Sequence, residues 1–373
     1  MASGHPWVYA SDVTDRGEAS PGAAVTVLGL KGGVLGTAHY SSTSQICLRL
    51  LSDRVETIGR SFFENRLRAA VAYRRRVVEG SDAYRLVHGE GDGLPGLVVD
   101  RYGDYLVVQT LTQGMDRQKA EIVACLQSLL SPSGIVARNE ASVRKRENLP
   151  LESGLLAGEA PGTIPIRMNG LVLQADLLRG QKTGIFLDQR ENYPAAARYA
   201  RGRALDCFTS TGGFALHLAS RCELVEAVDS SAEVLRLAGE NCGANGIRNV
   251  GLREADVFGL LAGYAAARQR FDAIVLDPPA FAKSRANLEG AVRGYKEINL
   301  RALQMLDSGS VLVTCSCSHH VNEAMFLELV AAAALDAGRR LRVLERRTQA
   351  RDHTILLTVP ETHYLKCLIL EVV

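Results

Sequence analysis

The chain has 373 residues, 47% hydrophobic and 23% charged, with a formal net charge of +2. That length predicts two or three domains, and the near-neutral balance argues against a surface that grips nucleic acid over its whole extent. No stretch is long and apolar enough to span a bilayer, Met1-Ala2-Ser3-Gly4-His5 lacks the apolar centre of a signal peptide, and the eight cysteines (47, 125, 207, 222, 242, 315, 317, 367) form no repeated C-x-x-C pairs. The expectation is a cytoplasmic protein with no membrane span, disulfide framework or metal site.

The first region is strand-rich and punctuated by turns. Ala24 to Leu28, Leu35 to Tyr40 and Ile46 to Leu51 read as strands of a small barrel, with Gly32-Gly33 between the first two. Trp7, the only tryptophan, reads as a core anchor of that barrel before it reads as a base-stacking surface. A basic helical linker is expected from about Ser61-Phe62-Phe63 to Arg76.

From about residue 77 to 170, Leu97 to Asp100 and Tyr105 to Thr110 predict a hairpin across Arg101-Tyr102-Gly103-Asp104. Ile122, Val123, Leu126 and Leu129 place a helix over 117–130, and Gly134 to Arg138 and Leu171 to Asp176 are expected to add two more strands. Arg74-Arg75-Arg76, Arg138 and Arg144-Lys145-Arg146 cluster in this part of the chain. Each run alone reads as a solvated face, and together beside one groove they become candidate phosphate contacts.

The last part alternates strands and helices. Ala204 to Phe208 reads as a buried strand, followed by the turn Thr209-Ser210-Thr211-Gly212-Gly213 and a helix over 214–220. Leu224 to Val228, helix 231–245 closed by Gly246, a candidate strand just ahead of Asp256, Phe271 to Leu276, a helix over about 290–306, Ser310 to Thr314, Leu341 to Glu345 and Tyr364 to Leu370 continue the pattern. The last pair predicts a hairpin, so seven strands should form a mixed sheet sandwiched by helices.

Ligands of such sheets bind outside the carboxyl ends of the strands. Two neighbouring strand ends carry Asp277-Pro278-Pro279 and Thr314-Cys315-Ser316-Cys317-Ser318, a carboxylate and a thiol facing one pocket. That pairing suits covalent attack on a pyrimidine: a thiolate added at C6 turns cytosine into an enamine whose C5 attacks an electrophilic methyl group. The upstream glycine turn is not G-x-G-x-x-G, which disfavours a pyrophosphate ligand and suits an adenosine sulfonium. Asp229 ends the following strand and is placed to accept from a ribose diol, and Asp256 in Glu254-Ala255-Asp256-Val257 could sit beside an adenine amino group.

Three further motifs span the chain: Gly4-His5-Pro6-Trp7-Val8-Tyr9, the segment Gly89-Glu90-Gly91-Asp92-Gly93-Leu94-Pro95-Gly96-Leu97-Val98-Val99-Asp100-Arg101-Tyr102-Gly103, and Lys182-Thr183-Gly184-Ile185-Phe186-Leu187-Asp188-Gln189-Arg190. With DPP and SCS in this order, the chain resembles the bacterial large-subunit rRNA cytosine-C5 methyltransferase family, which joins a PUA domain to a class I S-adenosylmethionine-dependent methyltransferase. The resemblance implies an α/β fold: a seven-stranded, Rossmann-like methyltransferase domain over 171–373, preceded by a small β-barrel PUA-like RNA-binding domain over 1–70 and an α+β middle domain over 71–170. It implies S-adenosylmethionine as cofactor and rRNA, free or in a precursor particle, as partner; a homodimer is one assembly consistent with it.

The family's motif places its nucleophile at the Ser-Cys-Ser cysteine, which is Cys317, with Cys315 expected to pack. Asp277 is assigned to the cytosine edge. Asp206, Phe208, Thr211, Gly212, Gly213, Asp229, Asp256, Asp277 and Pro278 are expected around the cofactor, and Pro279, Lys283, Asp188, Gln189 and Arg190 around the RNA substrate. The two-cysteine RNA cytosine methyltransferases carry a cysteine directly after Asp-Pro-Pro, where this chain has Ala280, so the group assisting breakdown of the adduct is unassigned. The alternatives are an exocyclic-amine methyltransferase acting on guanine or adenine, which needs no thiol, and a non-catalytic RNA-binding assembly factor, against which Asp206, Gly212, Gly213 and Asp229 argue.

Overall fold

The structure is a computed structural model that describes residues 4–180, 182–282 and 287–373. The chain folds as two compact units. The first comprises residues up to 170, 175–187 and 351–362, and the second comprises 171–174, 188–350 and 363–373.

The first unit begins with β1 (Trp7–Tyr9), β2 (Ala24–Leu28), β3 (Val34–Tyr40) and β4 (Ile46–Ser52). The expected barrel takes the form of a four-stranded antiparallel sheet in the order β1-β4-β3-β2. Its small core is Val27, Ala38, Tyr40, Cys47 and Leu48. Trp7 is only half-buried; its indole Nε1 donates to Glu90 Oε1 at 2.8 Å, so it packs at an edge and does not anchor this core.

Helix α1 (Arg60–Val77) is no exposed linker, because Phe62, Phe63, Leu67 and Ala70 recur on one face and are buried. They join the core of a five-stranded sheet in the order β5-β6-β7-β8-β9, formed by β5 (Ala83–His88), β6 (Leu97–Tyr102), β7 (Tyr105–Thr110), β8 (Gly134–Asn139) and β9 (Glu152–Gly158). Helices α2 (Gln113–Arg117) and α3 (Lys119–Leu130) precede β8, and α4 (Val143–Arg146) follows it. The predicted hairpin is the β6–β7 pair. Two strands of this sheet, β5 and β9, are not evident in the sequence because neither alternates polar and apolar residues clearly. Segments β10 (Thr163–Met168) and β11 (Leu171–Asp176) lie outside the five-stranded sheet, which corrects the expected role of Leu171 to Asp176.

The basic runs divide by burial. Arg74 is buried, forming an ion pair with Asp92 and donating from Nη2 to Asp352 O at 2.6 Å. Arg138 is buried, with bonds to Glu140 and to the carbonyls of Leu177 and Gly180, and Arg144 bonds Asp116 and the carbonyls of Thr110 and Pro150. These three arginines close the fold and are not phosphate contacts, whereas Arg75, Arg76, Lys145 and Arg146 are all exposed.

In the second unit, α5 (Asn192–Ala197) leads into β12 (Arg203–Cys207), α6 (Gly213–Leu218), β13 (Leu224–Asp229), α7 (Ala232–Ala244), β14 (Val250–Glu254), α8 (Val257–Ala266), β15 (Phe271–Leu276), α9 (Leu288–Gln304), β16 (Leu306–Ser316), α10 (Glu323–Asp336), β17 (Leu341–Arg347) and β18 (Lys366–Val372). The seven strands order as β14-β13-β12-β15-β16-β18-β17, parallel except for β18, which runs antiparallel to β16 and β17. The sheet is mixed, as the sequence predicts. Its central strands are continuous apolar runs because helices cover both faces, and Leu205, Cys207, Ile274, Leu276 and Leu312 enter one core with Tyr295, Ile298 and Phe326.

Candidate active site

Strand order reverses between β12 and β15, which pair in parallel with Cys207 opposite Leu276. The residues just past those ends therefore share one crevice, the place where an open parallel sheet binds ligands.

After β12 the chain turns sharply. Phe208 (φ 62°) and Ser210 (φ 51°) occupy the left-handed region that non-glycine residues avoid, and Gly212 (φ 89°) sits there at little cost. Phe208 thus begins the turn and does not end the strand. Fixed hydrogen bonds hold this conformation: Thr209 N donates to Val228 O at 2.9 Å and Gly212 N to Thr209 O at 2.9 Å. At Gly213 a Cβ would lie 2.4 Å from Tyr193 Cζ, so a side chain there cannot enter without moving that ring. Thr211 O accepts from Asn241 Nδ2 at 2.9 Å.

Asp206 is fully buried under this turn. Its Oδ2 accepts from Thr209 Oγ1 at 2.6 Å and from Ala215 N at 3.0 Å, whereas Oδ1 has no hydrogen-bond partner among the described residues. Burial pushes its carboxyl up to about 7, against those two bonds and helped by the nearby Asp277 and Asp229. A buried carboxylate oxygen without a donor is costly, and an ammonium-bearing ligand would satisfy it. Asp229, at the end of β13, accepts from Ser210 N at 2.9 Å and from Ser231 N at 3.1 Å. Each of its oxygens keeps a second lone pair for a ribose hydroxyl. The donor-hungry Asp206, the side-chain-free Gly213 and the fixed Asp229 fit an amino-acid-bearing nucleoside. Asp256 is the N-cap of α8 and is exposed, and its Oδ2 accepts from Gly259 N at 2.8 Å. One of its oxygens is therefore committed to the helix.

Asp277 follows β15, and its Oδ1 accepts from Gln189 Nε2 at 2.9 Å. Gln189 Oε1 accepts in turn from Asn192 Nδ2 at 2.6 Å. Asp188 Oδ2 accepts from Tyr364 OH at 2.8 Å, and Arg190 lies 3.5 Å from Glu191. Asp188, Gln189 and Arg190 are all buried, so this segment braces the site and does not present three side chains to solvent. Pro278 is buried and Pro279 exposed. Lys283 lies outside the described residues.

The two cysteines of the TCSCS segment differ sharply. Cys315 is fully buried in β16 opposite Cys367 of β18, and burial, Cys367 and Asp277 hold its thiol well above the ordinary range. Cys317 lies one residue past the strand and is partly exposed, with Sγ donating to Pro278 O at 4.0 Å. The DPP and SCS segments meet there. Ser318 anchors the loop, because its buried Oγ lies 3.0 Å from Tyr295 OH and accepts from Ala282 N at 3.3 Å.

Sequence reasoning missed Tyr193, Tyr364 and Lys366. The first two carry no local signal, since tyrosines in apolar segments usually just pack. Lys366 did leave one: a cation heading the apolar run Cys367-Leu368-Ile369-Leu370 is unusual for a buried strand. Among the described residues no helix is long and apolar enough to cross a membrane, and no cluster of His, Cys, Asp and Glu could hold a metal ion.

Comparison with known proteins agrees with this geometry. Residues 1–53 match the PUA-like domain family, and residues 84–353 match the S-adenosylmethionine-dependent methyltransferase family. Ribosomal RNA large subunit methyltransferase I of Klebsiella pneumoniae subsp. pneumoniae is 42% identical over 371 residues, covering 97% of this chain and 93% of the relative. The protein of the same name from Escherichia coli O139:H28 is 40% identical, covering 97% and 94%. Among solved structures, an S-adenosylmethionine-dependent methyltransferase from Streptococcus mutans superposes with a TM-score of 0.85 at 21% identity, covering 99% of this chain and 96% of its own, which speaks for the fold alone. With the crevice, the buried Asp206 and these relatives together, the chain belongs to the S-adenosylmethionine-dependent ribosomal RNA large subunit methyltransferase I family and carries that family's PUA-like domain at its N-terminal end.

Proposed function

We propose that this chain methylates C5 of a cytidine in large-subunit rRNA through a covalent bond between Cys317 Sγ and cytosine C6, acting in the cytoplasm. Residues 1–70 and 71–170 form the parts that dock RNA, and residues 171–373 carry the chemistry. S-adenosylmethionine, when bound, supplies an electrophilic methyl group. Asp206, Phe208, Thr211, Gly212, Gly213, Asp229, Asp256, Asp277 and Pro278 surround it, with Asp206 on its amino-acid end, Asp229 on its ribose and Asp256 towards its adenine.

The target cytidine must leave its stack to reach the crevice, as enzymes acting on a base require. The Cys317 thiolate adds to C6, the C5–C6 π electrons move into the ring, and C5 becomes nucleophilic. Asp277, held by Gln189, hydrogen-bonds the N3 or amino edge and stabilises the adduct. Once C5 carries the methyl group, loss of its proton restores the double bond and expels the sulfur. The observation that carries this reading is that Cys317 is partly exposed beside Pro278 while Cys315 is sealed in the sheet.

The test is RNA carrying 5-fluorocytidine at the target. Fluorine cannot leave as a proton does, so the adduct should persist and the trapped peptide should carry the nucleotide on Cys317. Cys317→Ala should lose methyl transfer and keep cofactor binding, and Cys315→Ala should keep both. A nucleotide found on Cys315, or normal turnover by Cys317→Ala, would overturn the reading.

A further inference from the structure

A cysteine attacks only as its thiolate, and an unperturbed thiol, titrating near 8.5, is mostly protonated at neutral pH. The contact of Cys317 Sγ with Pro278 O makes this harder, because a carbonyl oxygen accepts from the thiol and repels the thiolate. The site therefore needs a cation, and one stands at the head of the neighbouring strand.

Lys366 is the first residue of β18, opposite Ser316 in the β16–β18 ladder, and only 4% exposed. Its Nζ donates to Ser318 O at 2.8 Å and to Tyr364 O at 2.8 Å. Those bonds fix the ammonium against the residue that follows Cys317. Both acceptors are neutral carbonyls, so they orient the charge without balancing it. Burial accordingly pulls Lys366 from 10.5 to about 8, and the groups that oppose this are Cys317 first and Glu323 second. Glu323, at the start of α10, is partly exposed and already paired with Arg346 at 2.6 Å. From the other sides, the His319 ring lies 5.9 Å from that of Tyr364, Asp277 is engaged by Gln189, and Cys315 and Cys367 face each other in the ladder with the Cys315 thiol held protonated by burial. Among these described groups, the Cys317 sulfur is the one whose ionisation would balance the buried ammonium.

We propose that Lys366 is a positioning residue that keeps Cys317 as a thiolate, an inference that rests on Cys317 as the nucleophile. The S–H bond breaks, its proton passes to water, both electrons stay on sulfur, and the ammonium keeps all its protons. The adduct at C6 then forms from a sulfur that is already anionic.

The test follows the alkylation of Cys317 by iodoacetamide against pH in the full-length protein, read by mass spectrometry of the Cys317 peptide. Cys317 is the partly exposed member of the eight cysteines; Cys315 lies two residues before it on the same peptide, so fragment ions assign the label between the two. In the wild type the midpoint should lie about one pH unit or more below the ordinary thiol value. Lys366→Met should raise it by a similar shift and slow methyl transfer near neutral pH, with recovery as pH rises, and Lys366→Arg should restore much of both. A wild-type midpoint at or above the ordinary thiol value overturns the proposal even if no variant folds. So does an unchanged midpoint in Lys366→Met that still binds S-adenosylmethionine. Trapping by 5-fluorocytidine separates the two readings: a trapped Cys317 with an unshifted midpoint removes the role of Lys366 alone, whereas a shifted midpoint without trapping keeps the ion pair and removes the nucleophile.

Discussion

Arg74 Nη2 donates to the backbone oxygen of Asp352 at 2.6 Å, joining α1 to a segment 278 residues further along the chain. Asp352 also accepts, through Oδ2, from Arg85 N at 2.8 Å, and Tyr73 OH donates to Arg351 O at 3.0 Å. Segment 351–362 therefore belongs to the first unit although the sequence places it inside the methyltransferase half.

This decides what truncation does. A chain beginning at residue 171 keeps 175–187 and 351–362 but loses Arg74, Arg85 and the sheet they fold against. It is expected to aggregate or to melt well below the full-length protein. A cooperative transition at the full-length temperature in a thermal scan would contradict this.

Arg74 and its neighbour Arg75 should separate cleanly. Arg74→Ala leaves Asp92 buried without its partner and should cost about 3 to 5 kcal/mol of stability. Arg75→Ala should leave stability within about 0.5 kcal/mol, as exposed substitutions do. If Arg75 touches a phosphate, its loss should weaken rRNA binding and reduce the salt slope by about 1. The same stability loss in both variants would show that the division by burial is wrong.

Asp229→Ala should weaken S-adenosylmethionine binding by about tenfold or more, because bonds to a charged acceptor are worth roughly 1.5 to 3 kcal/mol each. It also releases the backbone of Ser210 and Ser231, so a small loss of stability should accompany it. Titration calorimetry checks this, and unaltered affinity would take Asp229 out of the ribose role.

Asp206 should make stability fall as pH rises. Its folded value of about 7 lies above the ordinary 3.8, so the folded state favours the protonated form. The stabilisation is complete below 3.8 and is lost as pH climbs through about 7. Between pH 5 and 8 the wild type should therefore lose thermal stability relative to Asp206→Asn, which stays neutral. Cofactor binding acts the other way: a ligand ammonium favours the ionised carboxylate, so binding near pH 6 should release a proton in the wild type and less in Asp206→Asn. Parallel stability curves for the two proteins would show that Asp206 ionises normally.

The seven-stranded sheet, the crevice-forming segments and the chemistry they suit follow from local residue pattern. Asp277, Cys317, Gly212-Gly213 and Asp229 were legible because each follows a continuous apolar strand, and strand ends in an open parallel sheet converge on one edge. Local pattern carried that information. That Arg74, Arg138 and Arg144 are buried ties and not RNA contacts emerges from the folded chain, since a charge run looks the same whether or not a distant Asp92 or Asp116 meets it. The folded chain likewise decides that Cys315 packs against Cys367 and that Lys366 reaches the loop after Cys317, because both follow from the antiparallel register of β18 on β16. Those two strands lie about fifty residues apart in sequence, and the pairing that joins them is fixed by packing across the whole sheet and not by any nearby residue.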